Sequence, residues 1–248
     1  EDPRWPGSMD FDWTANWGLA CACVRGVLEE TGIAPAEIAA VSTTCMREGI
    51  LLYDREGNEI WACANVDARS SAQVGQLKAL APALEREIYR KSGQTYALGA
   101  LPRLLWVRDN LPEVYARTAR LGMFNDWLIY RLTGKLAVEP SNGSTTGIMD
   151  LQSRNWLPEI AERCGLRADI FPDVVECGTL FAQVSARGAA ETGLREGTPV
   201  VAGGGDCQLG ASAWGRFGPT RPLCSAAASG STSSTPPPAR RTRTAGCG

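Results

Sequence analysis

An α/β fold is predicted by three observations. Short apolar runs alternate with helical patterns along the chain, and Gly or Pro punctuates nearly every change. No internal repeat and no apolar run near the roughly 18 residues of a membrane span is present. The run Pro199-Val200-Val201-Ala202 leads through Gly203-Gly204-Gly205 to Asp206 and a small-residue helix, Gln208–Ala213. Such a strand–turn–helix puts a carboxylate at the carboxyl end of a sheet, where open α/β folds bind ligands. The glycines are expected to form a tight turn that lets ligand approach the backbone. The plainer reading of Asp206 is a helix N-cap.

The elements follow in order. Trp13, Trp17, Ala20, Val24 and Val27-Leu28 fall at helical spacing, giving a helix over Asp12–Thr31 that Gly32 closes. Pro35-Ala36-Glu37 makes a turn before a strand, Ile38–Thr44. Ile50–Asp54 and Glu59–Ala64 form a hairpin around the polar turn Arg55-Glu56-Gly57-Asn58. Helices are predicted over Ser70–Leu80, from Pro82 to about Lys91, and from Pro102 through LPRLLWVRDN, with a further turn from Pro112. A strand over Arg120–Phe124, a helix over Asp126–Leu132 stopped by Gly134, and a polar loop over Pro140–Gly147 come next. The remaining elements are a strand over Ile148–Leu151, a helix over Trp156–Cys164, a strand over Gly178–Val184 and a helix over Ala186–Thr192.

Composition narrows the function. The sequence has no histidine, which removes Ser-His-Asp and Cys-His catalysis and His-ligated zinc. The nine cysteines are scattered without a CxxC pair and read as reduced thiols of a cytoplasmic protein. Cys21 and Cys23 fall on different helix faces. The net charge is −2, and Arg221, Arg240, Arg241 and Arg243 stand in a tail without acids, so the acidic excess lies in residues 1–218. A nucleic-acid partner is therefore not expected, nor is a membrane one, and no metal site is read. Residues 219–248, with Pro236-Pro237-Pro238 and no apolar period, are expected to be a disordered low-complexity tail.

Several stretches resemble the FGGY family of carbohydrate kinases, closest to its autoinducer-2 kinase branch. They are WPGSMDFDW, STTCMREGILLYDREGNEIWACANVDARS, SGQTYALGALPRLLWV, FNDWLIYRLTGKLAVEPSNGSTTGIMDL and GTPVVAGGGDCQLGA, spread across residues 1–218. The resemblance implies an RNase H-like (actin-like ATPase) domain that binds a small sugar-like substrate. It also implies ATP with Mg²⁺ as cofactors, and leaves a homodimer open. By motif, Asp206 is the general base that takes the proton of the attacking hydroxyl. Arg47 and Glu48 match a substrate-contacting pair whose donors and acceptors suit a polyhydroxylated ligand, against the plainer reading of a surface ion pair. Asn65 and Asp67, followed by Arg69, match a second patch facing the same cleft, although Asp67 could cap the next helix. Ser141 and Asn142 match a loop near the substrate, Gly204 and Gly205 the cofactor side, and Asp126 reads as structural.

Two departures are expected to limit the molecule. The family's N-terminal hairpin with its Asp-x-Gly-Thr loop is not found in the sequence, which begins at Glu1, and neither is an ATP-binding domain. Permissible codons for Thr220–Thr235, read one base out of frame, spell an apolar strand and a Gly-Gly turn of the kind that opens the family's second domain. A frameshift near Pro219 is therefore expected, against a natural low-complexity tail. The chain alone is expected to be inactive. Alternatives are a xylulose, ribulose or glycerol kinase, or a non-catalytic sugar-binding remnant. A dinucleotide oxidoreductase is disfavoured, because Gly203-x-Gly205 lacks the third glycine at the required spacing.

Overall fold

The computed structural model describes residues 2–80, 82–97 and 99–213. The low-complexity tail predicted for residues 219–248 lies outside them, as do residues 214–218 of the predicted domain. In chain order the elements are α1 (Trp13–Thr31), β1 (Val41–Cys45), β2 (Ile50–Tyr53), β3 (Glu59–Cys63), α2 (Ser71–Leu80), α3 (Pro82–Ser92), α4 (Ala100–Asn110), α5 (Pro112–Arg117), β4 (Arg120–Met123) and α6 (Phe124–Thr133). They continue as α7 (Pro140–Gly143), β5 (Met149–Asp150), β6 (Asn155–Trp156), α8 (Pro158–Arg163), β7 (Leu180–Gln183), α9 (Ala186–Thr192), β8 (Pro199–Gly205) and α10 (Asp206–Ala213).

Local chemistry sets most of these limits. Asp12 accepts from Ala15 N at 2.8 Å and starts α1. Gly32 ends it in the left-handed region, at φ 66°, donating to Leu28 O. The Arg55–Asn58 turn is held by Asp54 Oδ1, which accepts from Asn58 N at 2.8 Å and Glu56 N at 3.1 Å. Several predicted starts move: the strand expected from Ile38 begins at Val41, the helix expected from Asp126 at Phe124, the strand expected from Gly178 at Leu180 and the helix expected from Gln208 at Asp206. Helix α4 begins at Ala100, two residues before Pro102, because the N–H that proline lacks is one of those a first helical turn leaves unpaired. Trp156 pairs with Met149 in β6, so the helix predicted from Trp156 starts at Pro158.

Two three-stranded sheets carry the architecture, ordered β3-β2-β4 and β1-β8-β7. The first is antiparallel throughout. All four residues of β2 are buried, and they alternate between two cores. Ile50 and Leu52 pack with Leu77, Leu84, Leu101 and Leu104 of the helices on one face. Leu51 and Tyr53 pack on the other face with Trp17 of α1 and with Phe124 and Trp127 of α6. In the second sheet β1 runs parallel to β8, while β7 is antiparallel to it. The alternating pattern thus yields a mixed arrangement with one parallel pair.

That pair corrects the expected glycine turn. Gly203, Gly204 and Gly205 are the last residues of β8, and Gly204 and Gly205 stand opposite Thr44 and Cys45. Their small size serves close strand packing: a Cβ on Gly203 would lie 1.7 Å from Thr43 O. Among the described residues no helix is long and apolar enough to cross a membrane. The described cysteines are all free, with Cys21 buried and Cys23 exposed on α1.

Gly203→Ala should reach or exceed the upper end of the roughly 1–3 kcal/mol that overpacking costs, because its neighbour is backbone. Thermal unfolding checks this, and a melting temperature within about 2 °C of the parent would contradict the packing described.

Candidate active site

Because β1 and β8 are parallel, both strands deliver their following residues to the same edge. Asp206 is the first residue of α10, and it is exposed. Its Oδ1 accepts the Cys207 N–H at 2.7 Å. Arg47, two residues beyond β1, lays its side chain over Gly205: its Cγ and Cδ lie 2.9 Å from where a Cβ at 205 would sit. The register therefore places Arg47 against Gly205, the residue just before Asp206, although the two lie far apart in sequence.

The Pro140–Gly147 stretch, predicted as loop, is α7 followed by a 3₁₀ turn over Ser144–Thr146. Glu139 caps it. Buried at 2% exposure, Glu139 accepts from Ser141 N at 2.8 Å and Ser141 Oγ at 2.5 Å, and from Asn142 N and Nδ2, each at 3.3 Å. Ser141 Oγ in turn accepts the Gly205 N–H at 2.8 Å, which ties α7 to the end of β8. Asn142 is fully buried beside the Cys45 thiol, so of the two predicted loop residues only Ser141 is partly exposed at the edge.

Gly204 and Gly205, read as the cofactor side, have protein groups in the direction a side chain would take. Ser141 Oγ and Glu139 lie 3.0 and 3.2 Å from a Cβ position at 204, and Arg47 and Gln208 crowd the one at 205. Among the described residues no group of three or more Cys, Asp or Glu could hold a metal ion.

The second predicted patch divides in the same way. Asn65 is partly exposed. Asp67 is buried, and its carboxylate is taken up by Met9 N at 2.7 Å and by Arg69 N and Nε at 3.2 and 2.7 Å. The Arg69 guanidinium also bonds Asp10 and stacks over Trp61 and Trp106. Asp67 is thereby a fastener for the N-terminal segment, not the cap of α2.

Several site residues were not picked out from sequence. Glu139 had a signal, since an acceptor just before a proline that opens a helix is an N-cap pattern. Arg103 is 2% exposed on α4 and donates to the backbone carbonyls of Glu48, Asn65 and Asp67, the last two at 2.7 and 3.3 Å. Its signal was a cation inside the apolar run LPRLLWV. Asn125, fully buried, accepts from Thr43 Oγ1 at 2.7 Å. Asp126 is structural, as expected: Oδ2 accepts Met123 N–H at 2.9 Å while Oδ1 is buried without a partner. Burial pushes the Asp126 carboxyl well above the usual carboxylate range, partly offset by the Met123 N–H, and the Glu139 charge adds to the rise. Burial also pushes the Cys45 thiol well up, with the Asp126 and Asp206 charges adding.

With this geometry in view, the comparisons give a class. The N-terminal-domain model of the FGGY family of carbohydrate kinases matches residues 3–213, and the chain belongs to that family. Its fold is the actin-like ATPase fold of sugar kinases. The xylulose kinase of Rhodospirillum rubrum superposes with a TM-score of 0.79 at 23% identity, covering 88% of this chain and 45% of that one. The Plasmodium falciparum glycerol kinase with ADP gives 0.73 at 21% identity, covering 83% of this chain and 42% of that one. Among curated relatives, the autoinducer-2 kinase of Escherichia coli (strain K12) is 54% identical over 209 residues. The match covers 84% of this chain and 39% of that protein. The autoinducer-2 kinase of Yersinia enterocolitica is also 54% identical over 209 residues, with 84% and 40% covered. The chain thus spans well under half the length of these relatives.

Two outcomes follow. Glu139→Ala leaves the Ser141 and Asn142 donors without their acceptor and should cost about 3 kcal/mol in chemical unfolding. Asp126 is raised above its unfolded value, so its stabilising contribution is full below about pH 4 and is lost as pH rises toward its folded pKa. Asp126→Asn should remove that slope in unfolding series run from acid to neutral pH. An unchanged slope would show that Asp126 is not the group responsible.

Proposed function

We propose that this segment forms the sugar-binding side of an ATP-dependent carbohydrate kinase cleft, and that autoinducer-2 is the substrate of the enzyme. One observation carries the reading: the exposed Asp206 carboxylate stands at the end of β8, next to the residue over which Arg47 lies. The sequence identity to autoinducer-2 kinases supports the choice of substrate.

In this reading Cys207 N–H holds Asp206 Oδ1, and Oδ2 accepts the proton of the attacking hydroxyl. A carboxylate at hydrogen-bond distance both orients the hydroxyl and raises its nucleophilicity. Arg47 donates to substrate oxygens, while Glu48, Asn65 and Ser141 supply further polar contacts. Asn142 and Asp67 hold the loops that carry these contacts. ATP with Mg²⁺ supplies the phosphoryl group and neutralises its charge when bound. In this reading the chain supplies sugar contacts, and turnover is tested in a polypeptide of the relatives' full length, of which the match covers 39–40%.

Calorimetry of the chain with autoinducer-2, D-xylulose and glycerol tests the sugar reading. Autoinducer-2 should bind tightest, and Arg47→Ala should abolish the signal. Tighter binding of xylulose or glycerol would reassign the substrate, and binding of none would sink the reading. In a polypeptide carrying this sequence at the full length of the relatives, Asp206→Asn should lower kcat by about 10²–10⁴-fold with KM little changed.

A further inference from the structure

We propose that Arg103 is a positioning residue that locks the Arg47–Glu48 loop and the Asn65–Asp67 loop into one unit. The inference rests on the sugar-site reading above for its consequence, but not for its geometry. Nη1 donates to Glu48 O, and Nη2 donates to Asn65 O and Asp67 O. One amino group of the guanidinium fork therefore serves each loop. A planar fork with separated donors can bridge two chain segments in this way, whereas an ammonium is a single point of attachment.

Three features make the bridge specific. Arg103 is buried, and among the described residues it forms no ion pair with a carboxylate. Backbone carbonyl oxygens must therefore carry the compensation of its charge, and moving any of them away leaves a buried cation undersatisfied. Glu48 has φ 75°, a left-handed conformation that non-glycine residues rarely hold unless the surroundings impose it. The carbonyl that Arg103 grips belongs to that same residue. Finally, Trp106 lies one turn on from Arg103 and supports the Arg69 guanidinium that fastens Asp67. One face of α4 thus supports both loops.

Hydrogen–deuterium exchange on the whole chain, paired with calorimetry using autoinducer-2 and D-xylulose, tests the proposal. Arg103→Met and Arg103→Lys are compared with Leu84→Ala, a core truncation on α3, outside both loops, that lowers global stability. Arg103→Met should raise exchange across residues 46–49 and 64–68 together by at least tenfold over Leu84→Ala, and weaken sugar Kd at least tenfold. Arg103→Lys should restore protection in one loop only. If Arg103→Met does not fold, Arg103→Lys carries the comparison, since losing one loop and keeping the other is not a stability effect. Exchange in both loops equal to that of Leu84→Ala overturns the proposal, as does full rescue of both loops by lysine. If the parent chain binds neither sugar, the sugar reading fails, and the exchange data still decide the role of Arg103.

Discussion

The structure depends on the parallel pairing of β1 with β8. Parallel strands need a crossover connection, and here more than half the chain lies between the two partners. Their register places Cys45 opposite Gly205, so the chain leaves both strands at a common edge. Bulk at the end of β8 would break that arrangement. Thr43 O occupies the volume a side chain on Gly203 would need, and Glu139, Ser141 and Arg47 occupy the space over the next two glycines. The glycines thus serve protein packing at the point where the candidate base emerges.

Around this edge the fold buries several polar and charged side chains and satisfies most of them locally. Glu139 gathers the donors of α7, Arg103 is balanced by three carbonyls, and Asp67 is neutralised by Arg69 and Met9 N–H. Each arrangement fixes a loop that carries a partly exposed candidate contact: Ser141, Glu48 and Asn65 respectively. The cost of an unmet buried polar group opposes displacement of these loops. Asn125 Nδ2 and Asp126 Oδ1 remain exceptions, buried without partners, and Asp126 responds by favouring its protonated form.

Much of this was legible from the chain. The helix caps at Asp12 and Gly32, the Asp54–Asn58 turn and the strand leading to Asp206 follow from local rules, because each is decided by neighbours within a few residues. The family motifs point to Arg47, Glu48, Asn65 and Ser141; in the fold Arg47 and Ser141 both lie against Gly205, while Arg103 bonds the carbonyls of Glu48 and Asn65. The glycine run, by contrast, was read as a turn because glycine's backbone freedom is a local property. Its actual reason is the approach of a strand from far away in sequence.

The sequence by itself determined most of the elements, though not all their bounds, the family and the choice of Asp206 as candidate base, since periodicity, capping and motif wording are all local. Only the tertiary structure decided which of the polar candidates stay partly exposed and which are bonded within the protein. Asp67 and Asn142 resemble contact residues in sequence, yet their partners lie within the protein. Arg103 resembles an incidental charge on an apolar helix, yet it grips both loops. The reason is physical: whether a buried charge is a contact or a fastener depends on where the opposing dipoles lie, and those come from segments that meet only when the chain folds.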